Sequence, residues 1–484
     1  MSQRYAVIGG GITGLAACLQ LERERPAARI TLIEASDRLG GILQTRREQG
    51  YLVEQSADMF TNEAGTMREL CRHLGAESDL IETRPAGRRA YVARDDSLYP
   101  VPTGFSLMLP GRMDAILDSE ILDAAGRWRL LAERWVPASK DESDESLQSF
   151  AVRRFGQQAF DRLIQPLISG IYSADPAKLS MQACLGRFVD MEREHGSLIL
   201  AAQSDRQTGS LDRESSGARY KMFLAMKDGM QSLVEKMHQH LTRTEVLLNC
   251  PVRGVAPAAG GKWYVETEPE IPDLSVPLDG LVLTTRAAET GQLLHGLDPQ
   301  LSNQMAAVET ASMAIVMLGV DATQIPRAPH CFGFVVPEIE NRQLVACSFA
   351  SNKFSGRAPK GKVLLRCFIG GSLHANRVEQ DDGRLVELAR KDLADLIGLQ
   401  GDPEFQQVIR WRNCMPQYHV GHVDRVARMQ QAVQAHPGLE IAGNSFAGVG
   451  IPVCVASGQQ AAERLVNPAD STKREVSDNI ERST

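Results

Sequence analysis

The sequence feature that most constrains the fold is a glycine motif at the start of the chain. An apolar stretch over residues 5–8 runs into Gly9-x-Gly11-x-x-Gly14, and Glu34 follows a second apolar run twenty residues further on. Gly9 permits a tight turn out of a strand, Gly11 lets the backbone approach a pyrophosphate, and Gly14 lets the following helix pack closely. The helix N-terminus then offers N–H groups to phosphates, and Glu34 is placed to bind a ribose. The motif therefore predicts a dinucleotide-binding βαβ unit.

A second glycine-rich segment lies near the other end of the chain. Residues 441–452 read Ile-Ala-Gly-Asn-Ser-Phe-Ala-Gly-Val-Gly-Ile-Pro, so that a short strand ends at Gly443 and a loose loop follows. Pro452 stands where a helix can begin, because its missing N–H costs nothing there. Such a helix N-terminus offers another site to an anionic group, and a plain connection between strand and helix is the alternative.

Composition excludes several function classes. The 484 residues are too many for one simple core and suit two or three domains. The formal net charge of −7 argues against a nucleic-acid partner. Nine cysteines occur without a C-x-x-C pair, which is typical of free thiols in the reducing cytosol. The chain enters its first strand almost at once and lacks a run of about 18 apolar residues, so we expect a cytoplasmic protein.

The order of the predicted elements indicates an α/β fold, which is α+β overall. Strands and helices alternate at both ends of the chain, a helical stretch covers 112–190, and apolar or alternating runs between 311 and 371 predict a mixed sheet. We therefore expect a Rossmann-like nucleotide domain assembled from discontinuous segments, a mixed-sheet substrate domain and a helical insertion. The predicted ranges are 1–85 with 220–290 and 421–466 for the nucleotide domain, 86–110 with 300–420 for the substrate domain, 111–195 for the helical insertion, 196–219 for a flexible insertion and 467–484 for a disordered tail.

The nucleotide itself is indicated by a resemblance. The segment Glu34-Ala-Ser-Asp-Arg38-Leu-Gly40-Gly41 resembles the extended signature of the flavin-containing amine oxidase superfamily, with an ordinary turn as the alternative. In that superfamily the glycine pair lets a loop pass close to FAD, and the C-terminal loop presents a helix dipole that stabilises the anionic reduced ring. The resemblance implies FAD, bound by Gly9, Gly11, Ile12, Thr13, Gly14, Glu34, Arg38, Gly40, Gly41, Val252, Trp411, Gly443, Asn444, Val449, Gly450 and Ile451.

A narrower resemblance comes from the middle of the chain. The run Phe160-Asp-Arg-Leu-Ile-Gln-Pro-Leu-Ile-Ser-Gly170-Ile-Tyr-Ser-Ala-Asp-Pro is similar to a stretch of the oxygen-dependent protoporphyrinogen and coproporphyrinogen oxidases, and residues 91–104 and 411–422 fit the same family. The resemblance implies oxidation of a porphyrinogen to a porphyrin. Six electrons leave in three two-electron steps, each reducing FAD, which O₂ reoxidises to give hydrogen peroxide. The flavin performs the hydride transfer, so no catalytic side chain is predicted.

The same resemblance implies the residues that meet the substrate. Arg88 or Arg89, at the base of a strand, would bind a propionate, and an arginine can do so through two hydrogen bonds. Matching without gaps favours Arg88, whereas the alternation of a strand leaves Arg89 open, and two solvated surface arginines are the alternative. The walls of the pocket would come from residues whose alternatives are plain core positions or a turn: Gly170, Phe332, Val335 and Phe368.

Several points stay open at this stage. Protoporphyrinogen IX is the favoured substrate, with coproporphyrinogen III as the alternative. Another superfamily flavin oxidase or desaturase, and an FAD-binding module without activity, are the competing functions. Family members are often peripheral membrane proteins through the helical insertion, and the apolar segment 104–110 could enter a membrane surface or form a buried loop. A homodimer and hand-off to the next haem-pathway enzyme are further predicted partners.

One segment departs from the family pattern. After Glu54 the family commonly has a run that contains Gly-Pro, whereas this chain has Gln-Ser-Ala-Asp-Met-Phe-Thr-Asn over residues 55–62. Contacts in that segment are therefore not carried over.

Overall fold

The protein is described by a computed structural model that covers residues 2–62, 65–207 and 223–467. Within these ranges its strands, in chain order, are β1 Arg4–Ile8, β2 Arg29–Ile33, β3 Thr45–Glu48, β4 Tyr51–Glu54, β5 Phe60–Thr61, β6 Leu80–Glu82, β7 Ala90–Arg94, β8 Ser97–Pro100, β9 Phe105–Ser106, β10 Leu109–Pro110, β11 Phe223–Met226, β12 Thr244–Leu247, β13 Val252–Ala258, β14 Lys262–Thr267, β15 Gly280–Leu283, β16 Thr310–Asp321, β17 Gly333–Val335, β18 Ala346–Phe349, β19 Lys362–Gly370, β20 Phe405–Pro416 and β21 Leu439–Ile441.

The helices fall between and beside these strands. They are α1 Ile12–Glu24, α2 Thr66–His73, α3 Met113–Leu117, α4 Ala124–Leu131, α5 Leu147–Phe155, α6 Gln157–Ala159, α7 Gln165–Tyr172, α8 Met181–His195, α9 Leu198–Gln207, α10 Met230–His240, α11 Ala287–Leu294, α12 Pro299–Ala306, α13 Ala350–Lys353, α14 Asp382–Ile397, α15 His422–Gln434 and α16 Ile451–Val466. A π-helical turn at Phe160–Ile164 leads into α7, and short 3-10 turns lie at Glu77–Asp79, Pro85–Gly87, Ala132–Trp135, Pro272–Ser275, Ala322–Gln324, Glu338–Glu340 and Ser372–Glu379.

A five-stranded parallel sheet carries the two ends of the chain. Its order is β12-β2-β1-β15-β21, and every neighbouring pair is parallel. Residues 6–8 of β1 and 281–283 of β15 are apolar and buried, as expected for a parallel sheet covered by helices on both faces. Helices α1 and α16 pack together on one face. The arrangement confirms the predicted α/β class with a Rossmann-like unit built from distant segments.

A seven-stranded mixed sheet forms the second layer. Its order is β20-β16-β19-β18-β17-β7-β8, in which β17 and β7 are parallel and the other neighbours are antiparallel. One face packs against α14 through a core of its own. The other face turns towards the segment after β4 and towards α7.

The helical segment between β10 and β11 has a separate core. The buried side chains of α4, α5, α7 and α8 meet there, with Phe150, Phe155 and Phe188 fully enclosed. Because α7 belongs both to this core and to the wall of the mixed sheet, the helical segment reaches the predicted pocket. The exact boundaries of the domains stay a prediction.

The predicted flexible insertion is wrong over its first part. Residues 198–207 form α9, whose Leu198, Ile199 and Ala202 are buried. The backbone N–H groups of Leu198 and Ile199 donate to the carboxylate of Glu133 at 2.9 and 3.1 Å, so a side chain from another segment caps this helix. Residues 208–222 of the predicted insertion, and the predicted tail from 468, lie outside the described residues.

Two further expectations need correction. Segment 104–110 forms the small hairpin β9–β10 and buries Phe105, Met108 and Leu109, so these side chains are core rather than a surface for a membrane. The apolar run over residues 246–252 predicts one strand, but the structure divides it, because Asn249 adopts a left-handed φ of 53° and β12 ends before it. Val252 therefore opens the β13–β14 hairpin instead of lying in the parallel sheet.

Candidate active site

The carboxyl ends of the parallel strands meet at one edge of the five-stranded sheet. Gly9 follows β1 with a φ of +108°, and its N–H donates to the carbonyl of Ile33 at 2.8 Å. Thr284, directly after β15, donates its hydroxyl to the carbonyl of Gly9 at 2.9 Å. Gly443 follows β21 with a φ of +126°. We call these residues, with Gly11 and Gly14, the nucleotide edge, which is where ligands bind in open α/β sheets.

The glycines of this edge differ in what surrounds them. A Cβ at Gly14 would lie 1.9 Å from the carbonyl oxygen of Gly9, so Gly14 is required for α1 to pack against β1. A Cβ at Gly11 would have no described heavy atom within 4 Å, apart from its own chain neighbours. Gly14 is thus a packing glycine, whereas Gly11 borders open space, as the motif predicts for a backbone that receives a pyrophosphate.

Glu34 is held at the end of β2 by backbone and hydroxyl donors. Its Oε2 accepts from the N–H of Gly10 at 2.6 Å, and its Oε1 accepts from the N–H and the hydroxyl of Ser36 at 2.8 and 2.7 Å. Next to it, Cys250 donates its N–H to the carbonyl of Glu34 at 2.9 Å, which brings the start of β13, and hence Val252, beside the acid. Both predicted residues therefore lie at the same end of the nucleotide edge.

Arg38 organises the loop that contains the glycine pair. Its guanidinium donates to the carbonyls of Leu39 and Leu43 at 3.1 Å each, and to that of Gly41. Burial lowers the pKa of Arg38 from its ordinary value. Gly40 has a φ of +105° and donates its N–H to the carbonyl of Gly10 at 2.8 Å. Arg38 thus holds Gly40 and Gly41 against the glycine motif.

The C-terminal loop closes the edge from the other side. Gly443 donates its N–H to the hydroxyl of Ser457 at 3.1 Å, and the carbonyl of Asn444 accepts from the hydroxyl of Tyr418. Helix α16 then begins at Ile451, preceded by Gly450. The adjacent Val449 packs against the core of the helical segment.

The nucleotide edge fits the FAD that the resemblance implies. Within the described residues, neither α1 nor α16 has a side-chain cap at its N-terminus, although they are 13 and 16 residues long. Their first N–H groups therefore remain available to anionic groups of a ligand. The two helices are also packed close enough that a Cβ at Gly458 would lie 2.1 Å from the carbonyl of Thr13. The N-termini of α1 and α16 thus lie near each other at the nucleotide edge, with Ile12 and Thr13 in the first turn of α1.

The predicted pocket residues come together on one face of the seven-stranded sheet. Val335 pairs with Ala346, Ala346 with Phe368, and Phe368 with Ile315, so the four side chains form a row across β17, β18, β19 and β16. Paired residues point to the same side of a sheet. Trp411 of β20 pairs with Met313, two positions from Ile315, and so shares this side. We call this side the pocket face.

Helix α7 and the start of β17 border the pocket face. A Cβ at Gly170 would lie 3.5 Å from Cγ1 of Val335, so the helix approaches the sheet at its glycine. The ring of Phe332 lies 6.4 Å from that of Phe223 and packs against the helical core. On the other side, the indole Nε1 of Trp411 donates to the carbonyl of Gln55 at 2.6 Å, joining the pocket face to the segment that leads out of β4.

The two predicted propionate partners differ in their surroundings. Arg88 donates from Nε to the hydroxyl of Thr83 at 3.0 Å and from Nη2 to its carbonyl at 2.9 Å. Arg89 is exposed at the beginning of β7, and its carbonyl accepts from the N–H of Phe332 at 2.9 Å. Arg88 therefore already has protein acceptors, whereas the side chain of Arg89 is exposed to solvent.

Sequence reasoning missed a buried charged cluster next to this face. Asp58, in the segment that departs from the family pattern, contacts Lys353 and Arg366. Burial alone would raise the pKa of Asp58, but the two cations hold it well below its ordinary value. The available signal was Arg366 itself, a lone charge within the apolar run of β19, because an arginine inside such a strand requires a buried partner.

Comparison with known proteins gives consistent matches over nearly the whole chain. Residues 12–466 match the family model described as flavin containing amine oxidoreductase. Coproporphyrinogen III oxidase of Bacillus subtilis is 32% identical over 95% of this chain and 97% of that protein. Human protoporphyrinogen oxidase is 27% identical over 96% of this chain and 98% of that protein. The crystal structure of an Exiguobacterium protein described as a protoporphyrinogen oxidase superimposes with a TM-score of 0.84 at 29% identity, covering 96% and 99% of the two chains.

Proposed function

This chain belongs to the family of flavin-containing amine oxidoreductases, and we propose that within it the chain oxidises a porphyrinogen to a porphyrin. Membership confirms the predicted resemblance, the flavin cofactor and an oxidoreductase activity. The observation that carries the narrower proposal is the pocket face, where Val335 and Phe368 form an apolar row bordered by Gly170. A bent, largely apolar macrocycle needs such a wall beside the nucleotide edge.

Each group of residues contributes a separate task. The glycine motif, Glu34 and the C-terminal loop would hold FAD, which would supply the hydride acceptor when bound. The N-terminus of α16 would offer backbone N–H groups to a negatively charged part of the bound cofactor. The pocket face orients the macrocycle through Val335 and Phe368 and keeps water away from it. Arg89 binds a propionate at the rim, with Arg88 as the alternative partner.

Two porphyrinogens compete as the substrate. The sequence prediction favours protoporphyrinogen IX, and the 27% identity with human protoporphyrinogen oxidase is consistent with it. Coproporphyrinogen III is the second candidate, because a relative that bears its name is 32% identical. The two molecules differ by two vinyl groups against two further propionates, so coproporphyrinogen III requires more cations at the rim of the pocket.

The deciding experiment compares the two substrates on the holoenzyme. Each porphyrinogen is added without oxygen while the flavin absorbance is recorded, and porphyrin fluorescence is then followed in air. We expect the flavin to bleach and one porphyrin to form at least tenfold faster than the other, since a misplaced propionate leaves a charge unpaired. An unbleached flavin with saturating amounts of both porphyrinogens overturns the proposal, whereas faster oxidation of coproporphyrinogen III replaces the favoured substrate.

We also propose that the protein touches a membrane surface without crossing it. Among the described residues, every helix is too short or too polar to span a bilayer. Trp128 and Trp135 of the helical segment are 66% and 73% exposed, and the guanidinium of Arg134 lies 5.2 Å from the ring of Trp135. Exposed tryptophans beside arginines suit the boundary between lipid headgroups and chains.

Sedimentation with anionic liposomes tests this contact. The double variant Trp128→Ala/Trp135→Ala is expected to remain in the supernatant, whereas the wild type sediments with the liposomes. Tyr264→Ala is the matched control, because Tyr264 is an exposed aromatic residue on the β13–β14 hairpin. Equal binding of both variants contradicts the proposed surface. Dimer formation and hand-off to the next enzyme of the haem pathway stay predictions.

A further inference from the structure

The buried cluster beside the pocket face consists of one carboxylate and two cations. Oδ2 of Asp58 accepts from Nζ of Lys353 at 2.9 Å and lies 2.7 Å from Nη1 of Arg366. The three side chains are 9%, 5% and 3% exposed, respectively. Because both cations share one partner, loss of the carboxylate would leave two buried charges without compensation.

Each cation of the cluster lies over one of the two aromatic rings predicted to line the pocket. Nζ of Lys353 is 4.5 Å from the centroid of Phe332, and the guanidinium carbon of Arg366 is 5.5 Å from that of Phe368. Both distances fall within the range of cation–π contacts. A single carboxylate therefore fixes two cations, and each cation contacts an aromatic ring: Phe332, just before β17, and Phe368 in β19.

The same cluster also holds the backbone that leads from the nucleotide half to the pocket face. Arg366 donates from Nη2 to the carbonyl of Ser56, two residues before Asp58. The neighbouring carbonyl of Gln55 accepts from the indole of Trp411. The segment from Gln55 to Asp58 is thus fastened to the sheet at three successive points.

We propose that Asp58 is a positioning residue for the porphyrinogen. Through Lys353 and Arg366 it fixes the orientation of the Phe332 and Phe368 rings, and it holds the segment after β4 against the pocket face. The inference rests on the proposed function, because it takes the two rings as walls that meet the macrocycle. It assigns a role to the segment in which this chain departs from the family pattern.

The variant Asp58→Asn keeps the shape of the side chain and removes its charge. Porphyrin formation by the holoenzyme from each porphyrinogen, followed by fluorescence, gives KM and kcat separately. We expect KM to rise about tenfold and kcat to fall less than threefold, because the rings lose their fixed orientation while the flavin keeps its own residues. The FAD content of the purified variant, measured from its absorbance, is expected to equal that of the wild type.

A matched control separates positioning from a general loss of stability. Glu133 is an equally buried carboxylate that pairs with the buried Arg154 in the helical segment. Glu133→Gln is expected to lower the melting temperature as Asp58→Asn does, yet to leave KM unchanged. Asp58→Glu, which retains the charge, is expected to bring KM to within threefold of the wild type.

The variant Lys353→Met removes only the cation over Phe332. It is expected to raise KM about threefold to fivefold. If Asp58→Asn does not fold, the KM of Lys353→Met tests whether the cluster positions the ring of Phe332. An unchanged KM in both variants, or an equal rise in Glu133→Gln, overturns the inference. If the proposed function is wrong, the wild type itself oxidises neither porphyrinogen. That result is distinct from an unchanged KM in the variants, and it would also remove the basis of this inference.

Discussion

The nucleotide edge and the pocket face lie side by side but are built from different atoms. The edge consists of glycines, backbone N–H groups and two helix N-termini, and Gly14 leaves no room for even one added carbon. The pocket face consists of side chains from five strands, supported by the charged cluster around Asp58. A site made of backbone depends on the exact course of the chain, whereas a site made of side chains depends on their packing. We therefore expect mutations at the nucleotide edge to affect folding and FAD binding, and mutations on the pocket face to affect substrate binding.

The largest effect is expected at Gly14. In Gly14→Ala the new Cβ would meet the carbonyl of Gly9 at 1.9 Å, so α1 must move away from β1. We expect a loss on the order of 4 kcal/mol in the free energy of unfolding, since an obstruction by backbone cannot be relieved by a rotamer change. Urea unfolding of the protein without added FAD measures it. A stable Gly14→Ala would contradict the view that the edge depends on the course of the backbone.

Gly11 sharpens the comparison within the edge itself. Its φ of −68° suits any residue, and an added Cβ has no described neighbour within 4 Å outside the adjacent residues. Gly11→Val is therefore expected to fold with unchanged stability and to bind FAD roughly a hundredfold more weakly, because the side chain occupies the space of the pyrophosphate. Fluorescence titration of the apoprotein with FAD checks this. Unchanged affinity would show that the ligand does not pass over Gly11.

The support beneath the edge is expected to depend on pH. Burial, followed by the charge of Arg425, lowers the pKa of His422 to about 4 from an ordinary value of 6.5, and the ring lies 4.7 Å from that of Tyr418 under Asn444. Between pH 6.5 and 4, His422 is protonated in the unfolded chain but stays neutral in the folded chain. Its contribution to the free energy of unfolding is therefore complete above pH 6.5 and is lost as the pH falls towards 4. We expect His422 to contribute a loss of about 2 kcal/mol between pH 7.5 and 5.

His422→Gln provides the comparison for that titration, because its side chain is neutral throughout. Urea unfolding at pH 7.5 and 5 is expected to show a smaller difference in the variant than in the wild type. Equal differences would mean that His422 titrates normally in the folded protein.

The smallest effect is expected on the pocket face. Phe368→Ala removes an apolar wall while β19 keeps its pairing with β16 and β18. We expect KM for the porphyrinogen to rise about tenfold, which corresponds to about 1.4 kcal/mol, with unchanged FAD content. Steady-state kinetics measure it, and Ile339→Ala, an exposed apolar residue in the 3-10 turn after β17, is the control. Loss of FAD from Phe368→Ala would show that the pocket face also contributes to FAD binding, contrary to the comparison drawn above.

The sequence signals of the nucleotide edge are local. The three glycines, Glu34 and the Gly443 loop each occupy a short stretch, and each stretch has a specific backbone role. The pocket face is harder, since Val335, Phe368 and Trp411 become neighbours only through strand register. Their residue types alone are equally consistent with an ordinary core.

The features that were missed depend on contacts between distant segments. The N-terminus of α9 is capped locally by the hydroxyl of Ser197, which accepts from the N–H of Leu200 at 3.2 Å, but it is also capped by Glu133, more than sixty residues earlier in the chain. Asp58 finds its two cations nearly three hundred residues later in the chain. Which of Arg88 and Arg89 binds a propionate stays a prediction, and the hydrogen bonds of Arg88 to Thr83 are set by the turn before β7.

The pairing of the two chain ends has a consequence for biosynthesis. Strand β21 completes the sheet that β1 begins, and α16 packs on α1 at Gly458. During translation the first βαβ unit leaves the ribosome long before its partner helix exists. The nucleotide edge can therefore be complete only after β21 and α16 have emerged from the ribosome. We expect FAD to bind to it only late in synthesis. Until then the apolar residues of α1 that α16 will cover remain exposed to solvent.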